Sequence, residues 1–252
     1  MAHSEIEELI EGDIISSLDL AMFDDKDIAN IILQRSGVLY DIPRGGRIIR
    51  SWVAGDPEPL MKVVADKGRD IVRRALAMTY LEYVELRGQI EKFKPSSMAD
   101  IGCGYGFIDL FIWRDFKADL VLIDIEESEN RNFGYQDQGA GYSNLATAKA
   151  FLVSNGVPAT AVSLINPKDA DLAQSPKVDV AVSLLSCGFH YPLSTYTTYL
   201  LTKLKPGGGL VVDIRERSLS SQLEAIGEIG QVVDRYTHMD GTNRTVIERW
   251  SS

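Results

Sequence analysis

The chain is expected to fold as an α/β domain, on three observations. Met98-Ala99-Asp100-Ile101 reads as a strand, runs into Gly102-Cys103-Gly104-Tyr105-Gly106, and is followed by the apolar helical stretch Phe107–Trp113. A second apolar strand, Leu120–Ile123, comes soon after and ends in Asp124. Val178–Leu185 is almost continuously apolar, as a strand buried on both faces of a parallel sheet must be. Strand, tight glycine turn and helix in that order make a nucleotide-type binding turn.

Three glycines alone are not specific, because any closely packed strand-to-helix turn uses them. Asp124 adds a second feature, since it lies about twenty residues past Gly104, where such units place an acid that binds a ribose. Charge separates the adenosine ligands. A pyrophosphate on a helix N-terminus is disfavoured by a carboxylate close by, and Asp100 sits immediately before the glycines. The same acid suits a cationic ligand such as S-adenosylmethionine, which carries an α-ammonium and a sulfonium. The spacing G-x-G-x-G also departs from the G-x-G-x-x-G of dinucleotide sites.

These residues resemble the first motif of the class I S-adenosylmethionine-dependent methyltransferases, an acid followed by G-x-G-x-G at the end of the first strand, and the likeness runs from about Met98 to Trp250. The resemblance implies a Rossmann-like, seven-stranded, mostly parallel sheet with helices on both faces and an antiparallel C-terminal hairpin. It implies S-adenosyl-L-methionine as cofactor, with Asp100, Gly102, Cys103, Gly104 and Gly106 at the methionine part and Asp124 and Ile125 at the ribose. The turn after the third strand would touch the adenine. There the usual acid at the strand end is replaced by Asn166, with Asp169 three residues later, so the contact falls to one or the other. Ser183 and Leu184, near the end of the fourth strand, complete the expected cofactor set.

The 252 residues are enough for one large domain, or for one domain with a substantial extension, and 45% hydrophobic with 25% charged residues is ordinary for a soluble globular protein. A formal net charge of -10 argues against general affinity for nucleic acid or anionic membrane and towards a small-molecule acceptor. Cys103 and Cys187 form no CxxC pair, and no metal-ligand spacing stands out, so free thiols and no metal are expected. Met1–Asp13 is acidic and unlike a signal peptide, and no apolar run approaches a membrane span, which makes the cytoplasm the expected location.

Residues 1–94 read as a helical N-terminal cap or lid, and 95–252 as the catalytic domain. Ser4–Leu18 carries Ile6, Leu9, Ile10 and Ile14 at helical spacing, and a second helix is expected from Asp24 or Asp25 to Arg35, ended by Gly37. Tyr40–Arg47 reads as a turn-rich connection whose Arg44 and Arg47 either grip an anionic part of the substrate or pair with N-terminal carboxylates. Pro57–Lys92 predicts one long helix, or two joined near Gly68. Its wide apolar stripe is core, or in part the face of a homodimer.

After Asp124 a long aromatic connection carries Tyr135, Gln136, Asp137 and Tyr142, which either line a polar substrate pocket or anchor the loop by packing. Ser143 is expected to cap the next helix. The third strand is Ala161–Ile165, the fifth Leu210–Ile214, and Gln231–Tyr236 with Thr245–Trp250 forms the last hairpin. The fourth strand delivers Ser186-Cys187-Gly188-Phe189-His190-Tyr191-Pro192 to the carboxyl edge of the sheet, where open α/β folds bind ligands. His190 can accept a proton from a hydroxyl attacking a methyl group, or can simply order the loop; Tyr191 stands beside it as a substrate contact.

The N-P-P-Y type signature of enzymes that methylate base or amide nitrogens is absent, and the 134–142 and 186–192 segments resemble bacterial sugar or small-metabolite O-methyltransferases. Metal-independent O-methylation is therefore the expected chemistry. A non-catalytic S-adenosylmethionine-binding scaffold and an NAD-dependent oxidoreductase are the alternatives, the second opposed by Asp100.

Overall fold

Each apolar run expected as a strand is one, and their order brings two glycine- and acid-rich turns to the same sheet edge. The computed structural model describes residues 3–126, 142–239 and 241–251. β1 (Ser97–Ile101), β2 (Asp119–Ile123), β3 (Val162–Ile165) and β4 (Val178–Ser183) are followed by an extended segment, β5 (Ser186–Tyr191), and by β6 (Leu204–Arg215), β7 (Gly230–Met239) and β8 (Thr242–Arg249). Seven of them form one sheet in the order β3-β2-β1-β4-β6-β8-β7. The first five in that order are parallel, and β8 and β7 return antiparallel to their neighbours. β5 stands outside this order.

Alternation along the strands divides the core in two, because successive side chains point to opposite faces. Met98, Leu120, Leu122, Val180, Val182, Val211 and Val246 pack on one side; Ala99, Ile101, Val121, Ile123, Ala181, Leu210, Val212 and Ile247 pack on the other. The first face is covered by α1 (His3–Glu11), α2 (Asp13–Ser16), α3 (Asp25–Gln34), α5 (Glu58–Glu91), α6 (Phe107–Phe116) and α7 (Leu145–Ser154), with α4 (Gly45–Val53) packed against α5. The second is covered by α8 (Thr197–Lys203) and α9 (Leu219–Ile229). The N-terminal helices thus share a continuous core with the sheet.

Several local expectations are revised. α5 runs unbroken through Gly68, where a Cβ would lie 3.0 Å from Ile28 Cδ1, so this glycine lets α3 approach rather than ending a helix. Gly45 opens α4, so the turn-rich connection is shorter than expected. Asn144 caps α7, accepting from the Thr147 amide at 3.1 Å, while Ser143 lies buried beside Asp124. The fourth strand stops at Ser183 because that hydroxyl donates to Ile101 O at 2.8 Å and accepts from the Cys187 amide at 2.9 Å, pinning the crossing to β5.

One buried ion pair joins β8 to β6, and a partly buried one ties the end of α3 to α5. Arg244 on β8 meets Asp213 on β6 through two hydrogen bonds of 2.8 and 2.9 Å, both side chains fully buried. Arg35 meets Glu82 of α5 through two more, at 2.7 and 3.0 Å. Asp213 also accepts from the amide of Leu185, whose φ of 53° is left-handed. Such backbone strain in a non-glycine residue persists only where its surroundings dictate it.

Candidate active site

The glycine turn between β1 and α6 is built from three left-handed residues, Gly102 (φ 79°), Gly104 (φ 57°) and Gly106 (φ 68°). Conformation is only half of the requirement. A Cβ on Gly102 would lie 1.9 Å from Ser186 Oγ, and one on Gly104 would lie 2.9 Å from Gln34 Oε1, so β5 and α3 close on the turn from two sides. Asp124, at the end of β2, accepts from the Gly104 amide at 2.8 Å and from the Glu126 amide at 3.2 Å. Its carboxylate and the glycine turn therefore form one unit.

The electrostatics of this unit are acidic. Asp100 is 4% exposed and Asp109, in the first turn of α6, is 2% exposed. Burial, and then each other's proximity, pushes Asp100 well above the usual carboxylate range; burial raises Asp109 to about 7, with Asp100 hydrogen-bonded to it. Burial also raises Asp124. Two carboxyl groups in contact away from water cannot both ionise without a counter-charge. Among the described residues, the charges acting on Asp100 are Asp109 and Asp124, both acids. A positively charged group is favoured here, as an ammonium or sulfonium would be, and a pyrophosphate is disfavoured. Cys103 and Cys187 are free and buried, and burial pushes both thiols up, away from reactive thiolate.

A cavity of about 600 Å³ opens from the turn. Asp100, Gly102, Cys103, Gly104, Asp124 and Ile125 line one part of it, and Leu184, Ser186, Phe189, His190, Tyr191 and Tyr196 another. Tyr191 OH and Ser186 Oγ lie 3.0 Å apart, and the His190 ring stands edge-on to Phe189 at 4.9 Å. Tyr142 lines the cavity too, set against Trp52. Ile125 and Lys168 are shared with a second hollow of about 390 Å³, lined also by Glu126, Asn166 and Asp169. Asn166 donates to Glu126 Oε2 at 3.0 Å and accepts from the Lys168 amide at 3.0 Å.

The expected residues are not all gathered here. Ser183 is buried behind the cavity wall as a brace, and Gly106 shapes the turn without lining the cavity. Arg44 and Arg47 are exposed at the start of α4 and line neither hollow. Tyr135, Gln136 and Asp137 lie outside the described residues. Conversely, Gln34, Arg35, Thr79 and Glu82 of the helical segment line the cavity, and Asp109 supports Asp100; sequence reading did not single these out. Asp109 had a visible signal, a lone acid among the apolar residues of 107–113. Arg35 and Glu82 had none, since 47 residues separate them.

No family model matches the chain, and no curated protein matches it. Solved structures do. A ribosomal protein L11 methylase from Lactobacillus delbrueckii subsp. bulgaricus aligns over 64% of this chain and 79% of its own, at 16% identity and a TM-score of 0.46. An O-methyltransferase family protein from Burkholderia thailandensis aligns over 71% and 60%, at 11% identity and 0.43. A [4+2]-cyclase aligns over 65% and 60%, at 18% identity and 0.45. This chain therefore spans about three-fifths of the length of the last two. The sheet is the Rossmann-like, mostly parallel, seven-stranded one with an antiparallel C-terminal hairpin that the sequence leads one to expect. Chemistry must be argued from the site, because one fold hosts many reactions.

Proposed function

We propose that this chain is an S-adenosylmethionine-dependent methyltransferase that methylates an oxygen of a small hydroxylated metabolite or sugar. The observation that carries the reading is the buried acidic cluster on the glycine turn, Asp100, Asp109 and Asp124, which calls for a cationic ligand. Asp100 would face the α-ammonium and Asp124 the ribose hydroxyls. Asn166 is held by Glu126 and by its own turn, so Asp169 is the residue we assign to the adenine side.

When bound, the cofactor supplies a methyl group on a positively charged sulfur with a good leaving group. What the chain must add is alignment and, for a hydroxyl acceptor, a proton acceptor. Phe189, Tyr191 and Tyr196 give the second part of the cavity an aromatic wall that excludes water and orients a small acceptor. His190, on the same wall, takes the hydroxyl proton as the oxygen attacks.

Titration with S-adenosylmethionine, S-adenosylhomocysteine and NAD tests the cofactor. Binding of the first two and not of NAD is expected; binding of NAD alone overturns the reading. On an acceptor that turns over, His190→Ala should lower turnover about 10²-fold or more with cofactor affinity nearly unchanged. Undiminished turnover would remove His190 from the role of base.

A further inference from the structure

Asp109 belongs to the acidic cluster, but no contact with cofactor or acceptor is assigned to it above, and its position is costly. It sits in the first turn of α6, where an acid normally profits from the helix dipole in contact with water. Here it is 2% exposed, and its Oδ2 is buried with no hydrogen-bond donor reaching it. A buried carboxylate oxygen without a donor costs stability unless something unseen satisfies it. Asp100 is the neighbour in hydrogen-bonding contact, and it has no hydrogen to give unless it carries a proton.

We propose that Asp109 is a positioning residue for the ammonium end of the cofactor: it shares one proton with Asp100 in the cofactor-free chain, and that proton passes to solvent when the ammonium seats against Asp100. This rests on the cofactor reading above. The shared proton supplies the missing donor and removes one of two adjacent negative charges. An incoming ammonium replaces that proton as counter-charge, with Asp109 still holding Asp100 from behind.

Among the described residues, the charges that act on Asp100 are those of Asp109 and Asp124, while Lys168 lines the same cavity. From the end of β2 Asp100 faces Asp124, and from the turn the Cys103 thiol. The phenols of Tyr191 and Tyr196 line the same cavity. From α3 and α5, Arg35 and Glu82 line the same cavity but satisfy one another. His190 lines it too, so the test must separate the two.

Calorimetric titration of the full chain with S-adenosylhomocysteine, at about pH 6 to 7 and in buffers of different protonation enthalpy, counts the protons released. This window lies below the ionisation of the ligand's own α-amino group, near ~8. The expected result is release of about one proton by the wild type and by His190→Ala, and close to none by Asp109→Asn. Affinity should rise by up to about tenfold per pH unit in the wild type and stay nearly flat in Asp109→Asn. 5′-Methylthioadenosine, which keeps the adenosine and thioether but lacks the amino acid, should release none from either. If Asp109 is only a structural cap, Asp109→Asn will alter melting temperature and leave proton release at the wild-type value, which overturns the proposal. Binding of S-adenosylhomocysteine without proton release by the wild type overturns it as well, with the cofactor reading intact. Failure of both adenosine ligands to bind overturns the cofactor reading and this inference together.

Discussion

Gly102 shows how one residue can be constrained twice. Its φ of 79° belongs to the left-handed region, which costs an L-residue about 1–2 kcal/mol, and its missing Cβ leaves the space that Ser186 fills. Gly102→Ala should therefore cost more than strain alone and push Ser186 off its contact with Tyr191. Gly55→Ala is the matched control, with φ 93° and nothing within 4 Å of the added methyl. Urea unfolding should show the larger loss for Gly102→Ala, and only that variant should lose affinity for S-adenosylhomocysteine. Equal losses with unchanged affinity would mean that Ser186 moves aside freely.

At the scale of elements, α3 couples the helical segment to the glycine turn. Asp24 caps it in a reciprocal box, accepting from the Asp27 amide at 2.8 Å while Asp27 accepts from the Asp24 amide at 3.3 Å. The Asp27 carboxylate also takes the Tyr105 hydroxyl at 2.9 Å and the Thr147 hydroxyl at 3.2 Å, tying α3 to the turn and to α7. Asp24→Ala should lower stability by about 1 kcal/mol, as loss of an N-cap does, and should speed amide exchange in the 102–106 turn. Exchange confined to the first turn of α3 would show that the cap is local. The acid-rich start of this helix was legible in Asp24, Asp25 and Asp27. Its link to Tyr105 was not, since a separation of 78 residues leaves no periodic trace.

For the whole molecule, the carboxylates act in opposite directions with pH. Asp41, hydrogen-bonded by Arg74 and Lys67, and Asp179, hydrogen-bonded by Lys205 and the 96–97 segment, are held below the usual carboxylate range. A depressed folded pKa gives stability that is present above about pH 4 and lost as acid protonates the group. Asp109 does the reverse: raised to about 7 in the folded chain against about 4 unfolded, it keeps a proton that the unfolded chain has released. Raising the pH through that window therefore removes stability from the cofactor-free protein. Its melting temperature should fall from about pH 5 to pH 7.5, less steeply in Asp109→Asn and less steeply with S-adenosylhomocysteine bound. A melting temperature rising across that range in the wild type would contradict the assignment.

The sequence by itself determined the α/β class, the seven runs that pair as strands, the glycine turn and the two acids, Asp100 and Asp124, that flank the two adjacent turns. These are local patterns: apolar alternation, glycine at every second position, and an acid at a strand end. Only the tertiary structure decided which distant residues meet them. Ser186 seals Gly102, Gln34 crowds Gly104, and Arg35 with Glu82 brings the helical segment into the cavity wall. It also left Arg44 and Arg47 exposed, outside both hollows. The physical reason is that a charge in a sequence has no burial. Asp109 became a candidate proton carrier only when the fold removed its water and placed Asp100 beside it.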